Sequence, residues 1–197
     1  MQLDIVLAGV GGQGILSIAT VLGYAAVESG LQLKQAEVHG MSQRGGEVQS
    51  HLRISDRPIY SDLIPAGAAD MILSVEPMES LRYLPFLSSE GWLVTNTSPF
   101  RNIDNYPDLE RVLAEVKGVP RHVAIDADAV AKEQNNPRGM NMVMVGAASP
   151  VLPLEFAKLQ AGIRYIFGRK GEEVVARNLA TLEAGRAFAE QYRTAAT

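Results

Sequence analysis

The amino-acid sequence predicts an α/β fold three layers deep, α/β/α, with helices on both faces of one mixed, mostly parallel sheet. Three observations predict it. An apolar run of strand length, Leu3 to Ala8, enters the glycine cluster Gly9-Val10-Gly11-Gly12-Gln13-Gly14 and leaves it with helical periodicity. From there to Ile125, strand candidates alternate with helical patterns, as they do when helices cover both faces of a sheet. Between residues 31 and 60, strand candidates follow one another without a helix, which requires an antiparallel component.

The elements follow in order. Ile15, Ile18, Ala19, Leu22, Ala25 and Ala26 recur at helical spacing, and Ser29-Gly30 supplies a stop. Leu31 to Val38 alternates loosely as a second strand. Val48 to Ile54 is a third, with Val48, Ser50, Leu52 and Ile54 on one face and Gln49, His51 and Arg53 on the other. Ser55-Asp56-Arg57-Pro58 reads as a turn, after which Ile59-Tyr60 is expected to return as a short strand. Asp70 to Val75 has the continuous apolar character of a strand buried on both faces. Glu76-Pro77 then opens a helix expected to carry Met78, Leu81, Leu84 and Phe86. A strand at Trp92 to Thr95, a loop from Asn96 to Asn105, a helix from about Pro107 to Val116 and a strand at Val119 to Ile125 complete the alternation.

After Asp126 the strands stop. Asp126-Ala127-Asp128 starts a short helix, Met140 to Leu152 is apolar enough to require burial, and Pro153 breaks it. Phe156, Leu159, Ile163 and Phe167 form one helical stripe. A last helix, Glu172 to Tyr192, places Val175, Leu179, Leu182 and Ala189 on one face, with Glu173 and Arg177 one turn apart. Thr194 to Thr197 is expected to fray. The expected organisation is one domain over residues 1–197, its sheet built by 1–125 and its helical C-terminal part by 126–197.

Composition narrows the function classes. Cysteine is absent, so this chain offers no disulfide, thiolate zinc site or Cys-ligated iron–sulfur cluster. Its three histidines are dispersed, and no metal site is expected. A net charge of −4 with scattered Lys and Arg argues against a nucleic-acid surface. No apolar run reaches the roughly 18 residues of a membrane span and no basic region precedes Leu3, so no membrane association is expected and the chain is expected to be cytoplasmic.

Two stretches carry the candidate site. Gly9, Gly11 and Gly14 fit G-x-G-x-x-G and give a Rossmann-like start, in which backbone N–H groups of Gly11, Gly12, Gln13 and Gly14 at a helix N-terminus would hold an anion. The same glycines would also serve a turn that only packs the helix on its strand. The loop around Ser42, Gln43, Arg44, Gly45 and Gly46 is larger than a hairpin requires. Arg44 beside paired glycines could hold a phosphate or carboxylate, or face water and pair with Glu47. If the first two strands ended side by side, the two stretches would border one crevice. Glu37, 23 residues after Gly14, is near the place of a ribose-binding acid, but His39-Gly40 follows it and a solvent-facing strand residue is the favoured reading. Asp126 and Asp128 suit a helix cap better than a catalytic pair. No catalytic residue is assigned.

Gly9-Val10-Gly11-Gly12-Gln13-Gly14, His39-Gly40-Met41-Ser42-Gln43-Arg44-Gly45-Gly46, Arg53-Ile54-Ser55-Asp56, Ala69-Asp70, Glu76-Pro77-Met78-Glu79 and Asn141-Met142-Val143-Met144-Val145-Gly146 together resemble the small subunit of 2-oxoacid:ferredoxin oxidoreductases. The likeness is greatest to the beta subunit of the indolepyruvate enzymes, homologous to the gamma subunit or domain of the pyruvate enzymes. The resemblance implies a fold like domain III of pyruvate:ferredoxin oxidoreductase and oxidative decarboxylation of an arylpyruvate to an aryl-acetyl-CoA, with reduction of ferredoxin. It also implies that a large partner subunit holds the thiamine diphosphate and iron–sulfur clusters, since this chain has neither a cysteine nor a Gly-Asp-Gly thiamine motif. The two glycine loops would then help bind coenzyme A. The alternatives are a stand-alone Rossmann-like nucleotide-binding protein and an interaction scaffold with an empty glycine turn.

Overall fold

The computed structural model describes residues 1–39, 45–101 and 103–195. Six strands form one sheet: β1 (Gln2–Val10), β2 (Gln32–His39), β3 (Glu47–Ser55), β4 (Ala69–Ser74), β5 (Leu87–Asn96) and β6 (His122–Ile125), in the order β2-β3-β1-β4-β5-β6. β1, β4, β5 and β6 run parallel. β3 is antiparallel to both of its neighbours, β1 and β2.

The helices are α1 (Ile15–Val27), α2 (Pro77–Arg82), α3 (Leu109–Gly118), α4 (Ala127–Glu133), α5 (Met140–Ala148), α6 (Phe156–Phe167) and α7 (Glu172–Ala195). Strand alternation decides which helices cover which face. Leu3, Ile5 and Leu7 of β1 turn to one side with Leu52 and Ile54 of β3, into a core closed by α1, α4, α5, α6 and α7. Val6 and Ala8 turn to the other side with Ile72 and Leu93, under Tyr83 and α3's Val116. The expected α/β/α layering and mixed, mostly parallel sheet are both present.

Local chemistry sets the helix starts. Glu76 caps α2 by accepting the Glu79 N–H at 2.8 Å, with Pro77 supplying a preset first turn. Asp108 caps α3 through the Arg111 N–H, and Asp126 caps α4 through the Ala129 N–H at 2.9 Å. The capping role expected of Asp126 is therefore the observed one. The apolar segment from Met140 becomes α5, buried because it crosses α7 at backbone contact. A Cβ on Gly146 would lie 2.0 Å from the Leu182 carbonyl oxygen, and one on Gly185 2.1 Å from that of Val143.

Three expectations are corrected. Ile59-Tyr60 forms no strand, because β3 is already hydrogen-bonded on both sides and offers no free edge to a returning segment. The chain instead crosses the sheet face, where Arg53 donates to the Ser61 and Leu63 carbonyls at 3.1 and 3.0 Å and leaves Tyr60 exposed. The helix opened by Pro77 ends at Arg82, before Pro85, and Leu84 to Phe86 make a separate 3-10 turn. The last strand starts at His122 rather than Val119, since α3 runs to Gly118 and Pro120 intervenes. At the other end, α7 includes Thr194 and Ala195, while residues 196–197 lie outside the described residues.

Candidate functional site

The carboxyl ends of β1, β4, β5 and β6 lie at one edge of the sheet, where α/β folds place their ligands. There β1 gives way to the glycine turn. Gly9 serves packing, since a Cβ on it would fall 2.3 Å from a methyl of Val75. Gly12 (φ 100°) and Gly14 (φ 84°) take the left-handed backbone that L side chains avoid. A Cβ on Gly12 would meet open space, so its constraint is conformation, whereas Gly14 is also crowded by the Asn141 amide of α5.

The turn is held from inside by Gln13. Its Oε1 accepts the Val10 N–H at 2.8 Å and its Nε2 donates to the Val75 carbonyl at 3.4 Å. The side chain is thus spent on shaping the turn, whereas the sequence offered only the backbone N–H of this residue to a ligand. The N–H groups of Gly12, Gly14, Ile15 and Leu16 carry no acceptor among the described residues, while those of Gly11 and Gln13 are bonded to Gly46 and Val10. Unpaired N–H groups opening a helix form an anion cradle without any charged side chain.

Gly45 and Gly46, the described end of the second glycine loop, do meet the first. Gly11 N–H donates to the Gly46 carbonyl at 2.9 Å and Gly45 N–H to the Gly11 carbonyl at 3.5 Å. The cause differs from that expected, because β1 and β2 are not adjacent. β3 pairs with β1 in a register that sets Val10 opposite Glu47, so the start of β3 delivers Gly45 and Gly46. Ser42, Gln43 and Arg44 lie outside the described residues.

Val10, Gly11, Gly12, Gly14, Ile15, Leu16, Glu37 and Val48 line a cavity of about 310 Å³ beside this turn. Glu37, a partly exposed residue of β2, belongs to that lining. β2 pairs Glu37 with Ser50, which pairs in turn with Leu7, so the carboxylate lies on the sheet face that carries α1. A backbone anion cradle and a carboxylate therefore share one cavity, an arrangement that suits a phosphate and a sugar hydroxyl.

Next to the turn is a polar network that sequence reasoning did not assemble. Glu76 is buried, and its Oε1 accepts from the Tyr106 hydroxyl at 2.5 Å and the Phe100 N–H at 3.3 Å. Burial, with the carboxylate as hydrogen-bond acceptor, pushes the Tyr106 hydroxyl well above its ordinary pKa. Asn96 donates to the Val75 carbonyl at 3.3 Å and to Asp128 at 2.9 Å, and its oxygen accepts the Ala127 N–H at 3.0 Å. Ser98 donates to Asp126 at 2.9 Å. These bonds fix the segment after β5 to the ends of β4 and β6. The helix-opening Glu76-Pro77 pair was a usable signal; the sequence pattern contained none for the distant Tyr106.

A larger cavity of about 520 Å³ lies at the opposite end of the sheet, against Asp4, Arg53 and residues 55–61. Arg53 and Asp4 form a two-pronged pair at 2.8 and 2.9 Å, and the rest of the guanidinium is taken by backbone carbonyls, which marks a structural clamp. Among the described residues no group of three or more His, Cys, Asp or Glu could hold a metal ion. No helix among them is long and apolar enough to cross a membrane.

Comparison with known proteins agrees with this architecture. A family model described as pyruvate ferredoxin/flavodoxin oxidoreductase matches residues 4–188. Indolepyruvate oxidoreductase subunit IorB of Pyrococcus horikoshii is 38% identical over 183 residues, covering 88% of this chain and 90% of that protein. The structure of 2-oxoglutarate:ferredoxin oxidoreductase from Magnetococcus marinus, with 2-oxoglutarate, coenzyme A and succinyl-CoA bound, superposes with a TM-score of 0.76 at 25% identity, over 96% of this chain and 31% of that one. Pyruvate oxidoreductase subunit PORC of Thermotoga maritima shares the fold, with a TM-score of 0.72 over 94% of this chain and 96% of that one at 22% identity. With the glycine turn and the mixed sheet in place, the chain belongs to the pyruvate ferredoxin/flavodoxin oxidoreductase family, among its gamma-type small subunits.

Proposed function

We propose that this chain is the small subunit of an indolepyruvate-type 2-oxoacid:ferredoxin oxidoreductase, which converts an arylpyruvate and coenzyme A to an aryl-acetyl-CoA and carbon dioxide while reducing ferredoxin. The observation that carries the choice of substrate class is the identity of 38% with the Pyrococcus horikoshii subunit over 90% of that protein. Thiamine diphosphate and iron–sulfur clusters on a large partner subunit would supply carbanion stabilisation and electron transfer. This chain's part is to present the glycine crevice to coenzyme A. The N–H groups of Gly12, Gly14, Ile15 and Leu16, which have no acceptor among the described residues, donate to the diphosphate, with Arg44 as the candidate cation and Glu37 in the same cavity wall facing the sugar hydroxyls.

The test is anaerobic affinity purification of the chain from its own cells, followed by coenzyme-A-dependent viologen reduction with indolepyruvate, phenylpyruvate and pyruvate. Co-purification of a cysteine-rich thiamine subunit and reduction by an arylpyruvate support the reading; a chain that emerges alone and inactive overturns it. The coenzyme A role fails separately if the Arg44→Ala complex keeps an unchanged apparent affinity for coenzyme A. Glu37 in the cavity wall favours one other reading, a free-standing nucleotide-binding protein, for which micromolar binding of NAD(H) or NADP(H) by the isolated chain is the evidence required.

A further inference from the structure

α1 contains no charged residue in its thirteen positions, although it is an outer-layer helix with one face in water. A surface helix ordinarily carries charge on its solvent side. Here Leu16, Thr20, Tyr24 and Val27 fall four, four and three residues apart and form one outward stripe, with Leu16 and Val27 each 58% exposed. α6 runs alongside in the same direction, Gly162 lying against Val21 and Tyr165 stacking on Tyr24 at 4.9 Å between ring centroids. Tyr165 is itself 67% exposed, which widens the stripe into a patch.

Three further observations bear on what covers it. Where α6 ends, Arg169 and Lys170 are exposed and neither has a carboxylate within ion-pair distance among the described residues, although the chain as a whole carries a net charge of −4. At the other end the patch is continuous with the glycine cavity, because Leu16 belongs to both. In the Magnetococcus marinus structure the region matching this chain is 31% of one longer chain, so there the equivalent fold is covalently joined to the rest of that protein.

We propose that the α1/α6 face is the docking surface for the large, thiamine-bearing subunit, which meets it with an uncharged surface rimmed by carboxylates and thereby forms the outer wall of the glycine crevice. This rests on the function proposed above. Charge complementarity at the rim speeds association, and the apolar centre supplies the affinity.

The experiment measures assembly of the separately purified full chain with the large subunit by sedimentation velocity and binding kinetics, under anaerobic conditions. The variants are Thr20→Glu/Val27→Glu, Arg169→Glu/Lys170→Glu, and Val38→Glu on the exposed part of β2 as a control; thermal unfolding of each isolated chain verifies its fold. The expected result is at least a tenfold loss of affinity for Thr20→Glu/Val27→Glu, slower association at low salt for Arg169→Glu/Lys170→Glu, and wild-type binding for Val38→Glu. Assembly of Thr20→Glu/Val27→Glu at wild-type affinity overturns the proposal while leaving the proposed function standing. So does the loss of self-association alone, which would assign the face to a second copy of this chain. If the wild-type chain assembles with no such subunit, both readings fall.

Discussion

Replacing Gly146 by alanine puts one methyl group where α5 and α7 touch backbone to backbone. The new Cβ would stand 2.0 Å from the Leu182 carbonyl oxygen, 2.9 Å from its carbon and 3.0 Å from the Arg186 nitrogen. Ordinary contact begins near 3.4 Å, so α7 must retreat by about 1.4 Å, and no rotamer change can relieve a clash with main chain. Overpacking of this kind costs up to about 3 kcal/mol. Alanine returns about 1 kcal/mol through its helix propensity. The net loss of about 2 kcal/mol lowers Tm by roughly 4–8 °C for a chain of this size. Gly23→Ala is the matched control, because its Cβ meets only the tip of the Leu33 side chain, at 2.9 Å, which can turn away. Calorimetry or circular dichroism of the isolated chain reads both. Gly146→Ala unfolding at or above the wild-type temperature would refute the close-crossing argument. A second substitution, Gly185→Ala, adds less than its own single effect, since the helices have already separated.

Three other outcomes follow from buried polar contacts. Asp4→Asn leaves the largely buried Arg53 guanidinium without its counter-charge, and chemical denaturation should show a loss of about 3–5 kcal/mol, with faster amide exchange over residues 56–64. His51 is buried and its Nδ1 accepts the Ile64 N–H at 2.8 Å; burial above all, then Arg53, lowers its pKa below 6.5. The unfolded chain therefore binds the proton more readily, and stability falls as pH drops below about 6.5, by up to about 1.4 kcal/mol per unit; His51→Gln should flatten that slope. Tyr106→Phe removes the hydroxyl that buried Glu76 accepts, costing about 1.5–3 kcal/mol in denaturant titrations and raising protease sensitivity in the segment after β5.

How far the sequence could be read depended on the range of the signal. The passage from Leu3 to Gly14 was legible because strand, turn and helix are each written locally in residue type. The faces of β3 were legible for the same reason, and Val48, Leu52 and Ile54 do point to the α1 side. Pairing order was not, because alternation in Val48 to Ile54 is identical whether the strand lies at an edge or between two neighbours. From that single gap came the mistaken strand at Ile59-Tyr60 and the assumption that β1 and β2 are adjacent. The role of the Gln13 side chain was not legible, because the Val75 carbonyl it reaches is 62 residues away in the chain. Asp4 and Arg53 are 49 residues apart and became partners only through the antiparallel register.

The antiparallel β3 between β1 and β2 has a metric effect. Neighbouring strands stand about 4.8 Å apart, so a side chain on β2 is two spacings, about 10 Å, from the end of β1 rather than one. In a dinucleotide fold with β1 and β2 adjacent, one nucleotide half reaches from the glycine turn to the acidic residue. Here the turn at Gly12 and the carboxylate of Glu37 are set apart by an extra strand's width. A ligand that engages both must span that added width. Affinity measured against a series of ligands of increasing length, from pyrophosphate through nucleoside diphosphates to longer pyrophosphate esters, would therefore rise in a step where the span is first bridged.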